Sequence, residues 1–412
     1  MRRKMLCAVC TLGMMSLVAL VSCSPRPGGA NQTPGQQSPF QQGYILTRCD
    51  GQAVPTATAA PPSAPMSAYV GAVSTHDLEG YLYAFAPNDG STRWCNRFTP
   101  KEPPQGCPYR SCPGPSSVVP GRPLVANGVV YVCVSGYGGF TYAFNTSNGL
   151  LRWMQQTDCG PGSIPFGDYA APVLANGVLY TGKDALNAQN GRVLWRLSLD
   201  ATFASVVDGT LYAYAEAMVY ALNPANGSVR WKYQLGNVIA CLPAVADGTV
   251  YVGEQNSVGS DTAVTTALSA STGSVLWKYH ASSFSIVAAG GMVYLGDTDG
   301  ITALDAPGGQ LRWHFPITMS GNAVSAVLDG MVYLSADGAY ALSASDGSKR
   351  WHNMLGADQS HWFSTGVVMD ETFYLVGTDG MGNSTLFALR LSDGSARWQQ
   401  AGIPQMTPPA LG

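Results

Sequence analysis

The chain has 412 residues, of which 22 are Lys or Arg and 25 are Asp or Glu, so 11% are charged and the formal net charge is −3. Globular proteins typically carry ~25% charged residues. With 48 Gly, 27 Pro and 46% apolar residues, this composition excludes a coiled coil, a highly charged disordered chain and a basic nucleic-acid binder. It suits a large core built by backbone pairing and aromatic side chains, either as two or three domains or as one large all-β unit.

Arg2, Arg3 and Lys4 are the only charges before residue 26, and an apolar run from Met5 to Val21 follows them. This is the plan of a secretory signal. The run ends in Leu20-Val21-Ser22-Cys23, which resembles a bacterial lipobox. The resemblance implies a signal peptide over 1–22, lipidation at Cys23 and a protein anchored to the outer face of a bacterial membrane, periplasmic or at the cell surface. Loss of Arg2, Arg3 and Lys4 moves the net charge from −3 to −6. A mildly acidic mature chain suits neither nucleic acid nor anionic lipid as its main partner. Residues 23–66 read as a flexible tether, rich in Pro, Gly, Gln and Ala. Within it, Gly43–Cys49 is apolar enough to pair as an edge strand.

From residue 67 to 412 one phrase recurs: Ala-Leu or Ala-Phe, four variable residues, Gly, three residues, Trp. It ends at Trp94, Trp153, Trp195, Trp231, Trp277, Trp313, Trp351 and Trp398. The mean period of ~43 residues marks one supersecondary unit per repeat. In APVLANGVLYTG, from Ala171, Asn176-Gly177 signals a hairpin turn between two short strands. The pair before each Trp strand (Asp-Gly, Asn-Gly, Thr-Gly or Gly-Gly) is expected to form a type I′ turn as well. Four antiparallel strands per unit make a propeller blade, and eight phrases predict eight blades. Seven blades with an irregular piece is the alternative. The first repeat lacks an opening strand, and the C-terminal TPPALG (407–412) is expected to supply it. Trp362 stands outside the pattern and reads as a loop residue.

MVYLGDTDGITALDAPGGQLRW, residues 292–313, resembles the pyrrolo-quinoline quinone (PQQ) repeat family of β-propellers, and the resemblance spans the whole of 67–412. It implies that each repeat Trp docks between neighbouring blades. Family blades commonly carry Asp two residues after the opening Ala. Here only Asp305 does; the equivalents are Ala86, Asn145, Asn187, Asn223, Ser269, Ser343 and Arg390.

Seven cysteines lie beyond Cys23, and export permits disulfides. Cys107 and Cys112 flank PYRS in a Pro-rich insertion over 95–120 and are candidates for a local bridge. No spacing supports a zinc site. His314 and His352 each follow a repeat Trp and read as surface or packing residues. No residue stands out as a catalytic candidate. The insertion is the longest between blades, and loops of this kind often bind partners.

Two functions compete. The anchor, repeat type and blade number resemble the propeller lipoproteins of outer-membrane barrel assembly. This implies a non-catalytic scaffold that binds envelope proteins through a propeller face or its loops, with no cofactor, no metal, no nucleic acid and the membrane met only through the lipid. The alternative is a PQQ- and calcium-dependent dehydrogenase of alcohols or sugars, which uses the same propeller to hold the quinone in its channel. Two features weigh against it: the sequence has no adjacent cysteine pair, and most hairpins are short.

Overall fold

The computed structural model describes residues 44–57, 66–74, 79–100, 118–135, 139–159, 171–255, 263–281, 283–317, 322–356 and 362–412. These residues form an all-β, eight-bladed propeller with one antiparallel sheet per blade. Blade 6 is the plainest. Its strands Ser285–Ala289, Met292–Gly296, Gly300–Asp305 and Leu311–Pro316 pair in simple sequence order. The first strands of successive blades touch one another, so they line the axis and the Trp strands form the rim.

The turn chemistry corrects one expectation. Type I′ geometry belongs to the turn between the first two strands, where both central residues have positive φ: Asn176 and Gly177 at 49° and 76°, Asp329 and Gly330 at 50° and 72°. In the turn before the Trp strand only the glycine is left-handed. Gly309, at φ 66°, donates its N–H to the Asp305 carbonyl at 2.9 Å, and Asp305 donates back to the Gln310 carbonyl at 2.9 Å. The Asp305 carboxylate caps this turn by accepting the Gly308 N–H at 2.7 Å. A register shift follows at the Ala-Leu step: Ala303 faces Trp313, but Leu304 faces Leu311. Arg312 is therefore a bulge residue, and the bulge turns it outward. The same shift recurs at the phrase in every blade.

Blade 1 draws on both ends of the chain. Gln405–Met406 and Ala410–Leu411 pair with Ala68–Val73, which continues into Gly80–Phe85 and Thr92–Pro100. On its outer edge lies an added strand, Tyr44–Arg48, in register from Tyr44↔Pro100 to Arg48↔Asn96. The chain then crosses to blade 2, where Ala57 donates to the Leu151 carbonyl at 2.6 Å and Leu151 to the Pro55 carbonyl at 3.1 Å. Described strand residues thus lie inside the stretch assigned to the tether. Three features hold this strap despite its composition. A disulfide joins Cys49 to Cys95, the edge of blade 1 offers unpaired backbone groups, and the Tyr44 ring is buried against Phe140 at 5.9 Å.

Candidate functional site

Each repeat Trp lies at a blade interface. Its indole N–H donates to a backbone carbonyl of the following blade. Trp94 meets Thr146, Trp153 Ala188, Trp195 Pro224, Trp231 Ala270, Trp277 Ala306, Trp313 Ala344, Trp351 Leu391 and Trp398 Pro87. The last contact carries the series from blade 8 back to blade 1. Within its own blade each Trp faces the Ala that opens the phrase, and all eight of these alanines are fully buried. The opening residue is small because an indole crosses it.

The glycine of the phrase has a second task that spacing alone does not reveal. A Cβ on Gly309 would lie 2.5 Å from the Trp277 ring, and on Gly347 it would lie 2.6 Å from Trp313. The phrase is therefore self-complementary: its Gly is the hole for the preceding blade's Trp, and its Trp is the knob for the following blade's Gly. Only Gly supplies both the left-handed turn and the room. Trp362, by contrast, is 68% exposed on the short strand Trp362–Phe363.

The axial strands bear on the cofactor question. Leu124–Ala126, Val173–Ala175, Thr202–Val207, Ala244–Ala246, Ser285–Ala289, Ala323–Leu328, Val367–Met369 and Ala410–Leu411 contain no Asp, Glu, Asn, His, Lys or Arg. Calcium takes oxygen ligands, carboxylates above all, and these eight strands offer hydroxyls and backbone carbonyls but no carboxylate. Among the described residues no group of three or more His, Cys, Asp or Glu is placed to hold a metal. These eight strands supply no carboxylate for a calcium-bound quinone.

A polar groove of about 500 Å³ crosses blades 2–4 on the side of their second turns. Lys183 stands in it with Asp200 at 2.7 Å and Asp158 at 3.3 Å. These two partners, Asp200 first, raise the Lys183 ammonium above its ordinary range. Glu216, Tyr220 and Gln234 complete the far wall. Glu216 has φ 39°, and its carbonyl accepts the Ile239 N–H at 2.7 Å. The groove is rich in donors and acceptors.

Buried carboxylates nearby serve the scaffold. Asp184 holds Arg196 at 2.6 Å and accepts the Asp158 N–H at 3.2 Å. Glu254 accepts the Gly236 and Asn237 N–H groups at 2.7 and 3.0 Å. His352 stacks on Tyr340 with ring centroids 3.9 Å apart, and burial lowers its pKa. His314 shares a hydrogen bond of 3.0 Å with Thr302. A second disulfide joins Cys133 to Cys159. Neither bridge could be assigned from sequence, because spacing does not encode connectivity. Cys23, Cys107, Cys112 and most of the 95–120 insertion lie outside the described residues.

The fold and the repeat chemistry together define a Trp-docked propeller of the quinoprotein-like class. The family model described as "Outer membrane protein assembly factor BamB" matches residues 184–400, more than half of the chain, and the protein belongs to that family. A relative named outer membrane protein assembly factor BamB, from Yersinia pestis, is 27% identical over 155 residues, or 33% of this chain and 38% of its own. The serine/threonine-protein kinase AfsK of Streptomyces griseus is 28% identical over 172 residues, or 36% of this chain and 20% of its own. The chain thus spans well under half the length of these relatives. Among solved structures, BamB from Moraxella catarrhalis shares the fold with a TM-score of 0.52 at 15% identity, covering 70% of this chain and 87% of that one.

Proposed function

We propose that this protein is a lipid-anchored, extracytoplasmic propeller that acts as a non-catalytic protein-binding scaffold in the cell envelope. The observation that carries this reading is the family match across blades 3–8. The reading brings to this chain the assembly role that the relatives' name states, and it places Cys23 as the lipidated residue. The lack of carboxylates in the eight axial strands supports it over the dehydrogenase alternative. The groove of blades 2–4 offers a partner polar contacts from Lys183, Glu216, Tyr220 and Gln234.

Two measurements test the reading. Titration of the chain with PQQ and calcium, followed by dye reduction with alcohols and sugars, is expected to give neither saturable binding nor turnover; tight binding with turnover would sink the scaffold role. Photo-crosslinkers placed at Tyr220 and Gln234 in membranes are expected to capture a discrete envelope protein, and Cys23→Ser is expected to release the chain from the membrane fraction.

A further inference from the structure

Charge in this molecule is sorted by position within the blade. Each of the eight outermost strands carries at least one Lys or Arg, and none carries Asp or Glu. The added strand Tyr44–Arg48 follows the same rule. Acids sit in turns instead, as at Asp208, Asp247, Asp329 and Asp370, where positive φ favours them. Charge on an exposed edge strand discourages edge-to-edge pairing, and an acid would serve that purpose as well as a base. The one-sided sorting therefore asks for a separate cause.

A second feature coincides with it on blades 3–6. Their outer strands expose Leu194, Val229, Val275, Leu276 and Leu311, each between 42% and 53% accessible. Blade 7, with the outer strand Lys-Arg-Trp-His-Asn, has the cations without an exposed aliphatic. Two of the cations on blades 3–6 are engaged locally: Arg196 binds buried Asp184 at 2.6 Å and Arg312 lies 3.3 Å from Asp305. Blade 4 differs. Arg230 bonds only a neutral hydroxyl, that of Thr210 at 2.7 Å, and Lys232 projects from the same exposed edge. On blade 5, Lys278 is 46% exposed and stands 3.9 Å from Glu254.

We propose that the rim of blades 4 and 5 is a contact surface for an anionic lipid bilayer. Arg230, Lys232 and Lys278 meet lipid phosphates, and Val229, Val275 and Leu276 enter the headgroup boundary. Cations interleaved with aliphatics on one surface are the chemistry of interfacial membrane binding. With eight blades around the axis the rim is convex, so a flat partner meets two neighbouring blades at a time. The acidic turns on the two faces are repelled from such a surface, which fixes the propeller edge-on. The formal net charge of −3 hides this, because it averages a basic rim with acidic turns.

The test is hydrogen exchange on the full chain reconstituted in vesicles of phosphatidylcholine, with or without phosphatidylglycerol. The expected result is slower exchange over 229–234 and 275–279 on anionic vesicles only, reversed by high salt. Each cation removed is expected to weaken the association by about fivefold. R230Q/K232Q/K278Q is therefore expected to abolish the protection, and V229Q/L276Q to reduce it. Arg196 is left in place because it neutralises Asp184. K349Q/R350Q on blade 7 serves as the matched charge control, and its protection is expected to persist. An unchanged melting temperature shows that each variant is folded. The proposal is overturned if zwitterionic and anionic vesicles protect alike, if the turns are protected instead of the rim, if K349Q/R350Q is as damaging as the triple variant, or if an acidic polypeptide protects the rim and vesicles do not.

Discussion

Blades 6 and 1 use the same phrase and the same Trp contact, yet they are assembled from different amounts of chain. Blade 6 is one continuous run from Ser285 to Pro316, closed by neighbouring strands. Blade 1 needs Tyr44–Arg48, Ala68–Pro100 and the last eight residues, with a disulfide to hold its outer edge. Local pairing makes blade 6 cheap in loop-closure entropy, whereas blade 1 must bring distant segments together. The interfaces on either side of blade 1 are nevertheless built like the rest. Trp398 reaches Pro87 as Trp313 reaches Ala344. A repeat protein can place its entropic burden in one blade and leave the interfaces uniform.

The largest test of that uniformity is a pair of truncations. Trp313→Ala and Trp398→Ala should each cost about 3–5 kcal/mol, since each strips a mostly buried indole from a blade interface. A loss at Trp398 far below that at Trp313, in urea denaturation, would mean that the C-terminal strands close the ring without their Trp. Trp362→Ala is the internal control: at 68% exposure it should change stability by less than ~0.5 kcal/mol.

The glycine of the phrase separates strain from packing. Gly309 and Gly330 have φ of 66° and 72°. A Cβ on Gly309 meets the Trp277 ring at 2.5 Å, whereas one on Gly330 meets nothing within 4 Å. Gly330→Ala should cost about 1–2 kcal/mol from the left-handed backbone alone. Gly309→Ala should cost about 2–5 kcal/mol, because overpacking against the indole adds to that strain. Equal melting temperatures for the two variants would remove the hole from this account of the phrase.

For blade 1 the disulfide is the corresponding lever. Cys49→Ser with Cys95→Ser should destabilise the protein by about 2–4 kcal/mol. Amide exchange over 44–48 should rise well before exchange in blade 6. A strap that stays protected would show that edge pairing and the buried Tyr44 suffice to hold it.

These contrasts explain what could be read in advance. The eight phrases, the blade count and the closing role of the C-terminus were legible because each rests on a residue type at fixed spacing. The second function of the phrase glycine was not, since its partner belongs to the preceding blade and lies about one repeat away in sequence. The edge strand of the strap was legible as the apolar run Gly43–Cys49, but its disulfide and its crossing to blade 2 were not, because neither a cysteine pair nor an open edge leaves a local pattern. The groove of blades 2–4 joins turns from separate repeats and has no signature of its own. Net charge did not reveal the basic outer strands, because a sum over the chain cannot show on which strand each charge lies.

The smallest expected effect concerns a single carboxyl in blade 6. Asp297 is buried, and this desolvation raises its pKa above the ordinary 3.8, against the pull of donors from Asp299, Thr302 and Gly300. An acid whose folded-state pKa is raised binds its proton more tightly when folded. Its contribution is therefore fully present below pH 3.8 and lost as pH rises through the raised value. Asp297→Asn removes the titration while keeping an oxygen that can accept the Asp299 and Gly300 N–H groups at 2.8 and 2.9 Å. The stability of the native chain relative to this variant should thus fall with rising pH across that window and level off towards neutrality, as read from denaturation midpoints at a series of pH values. A difference that instead grows with pH would mean that the turn donors outweigh burial, and that the carboxylate rather than the carboxylic acid is the form this blade is built to hold.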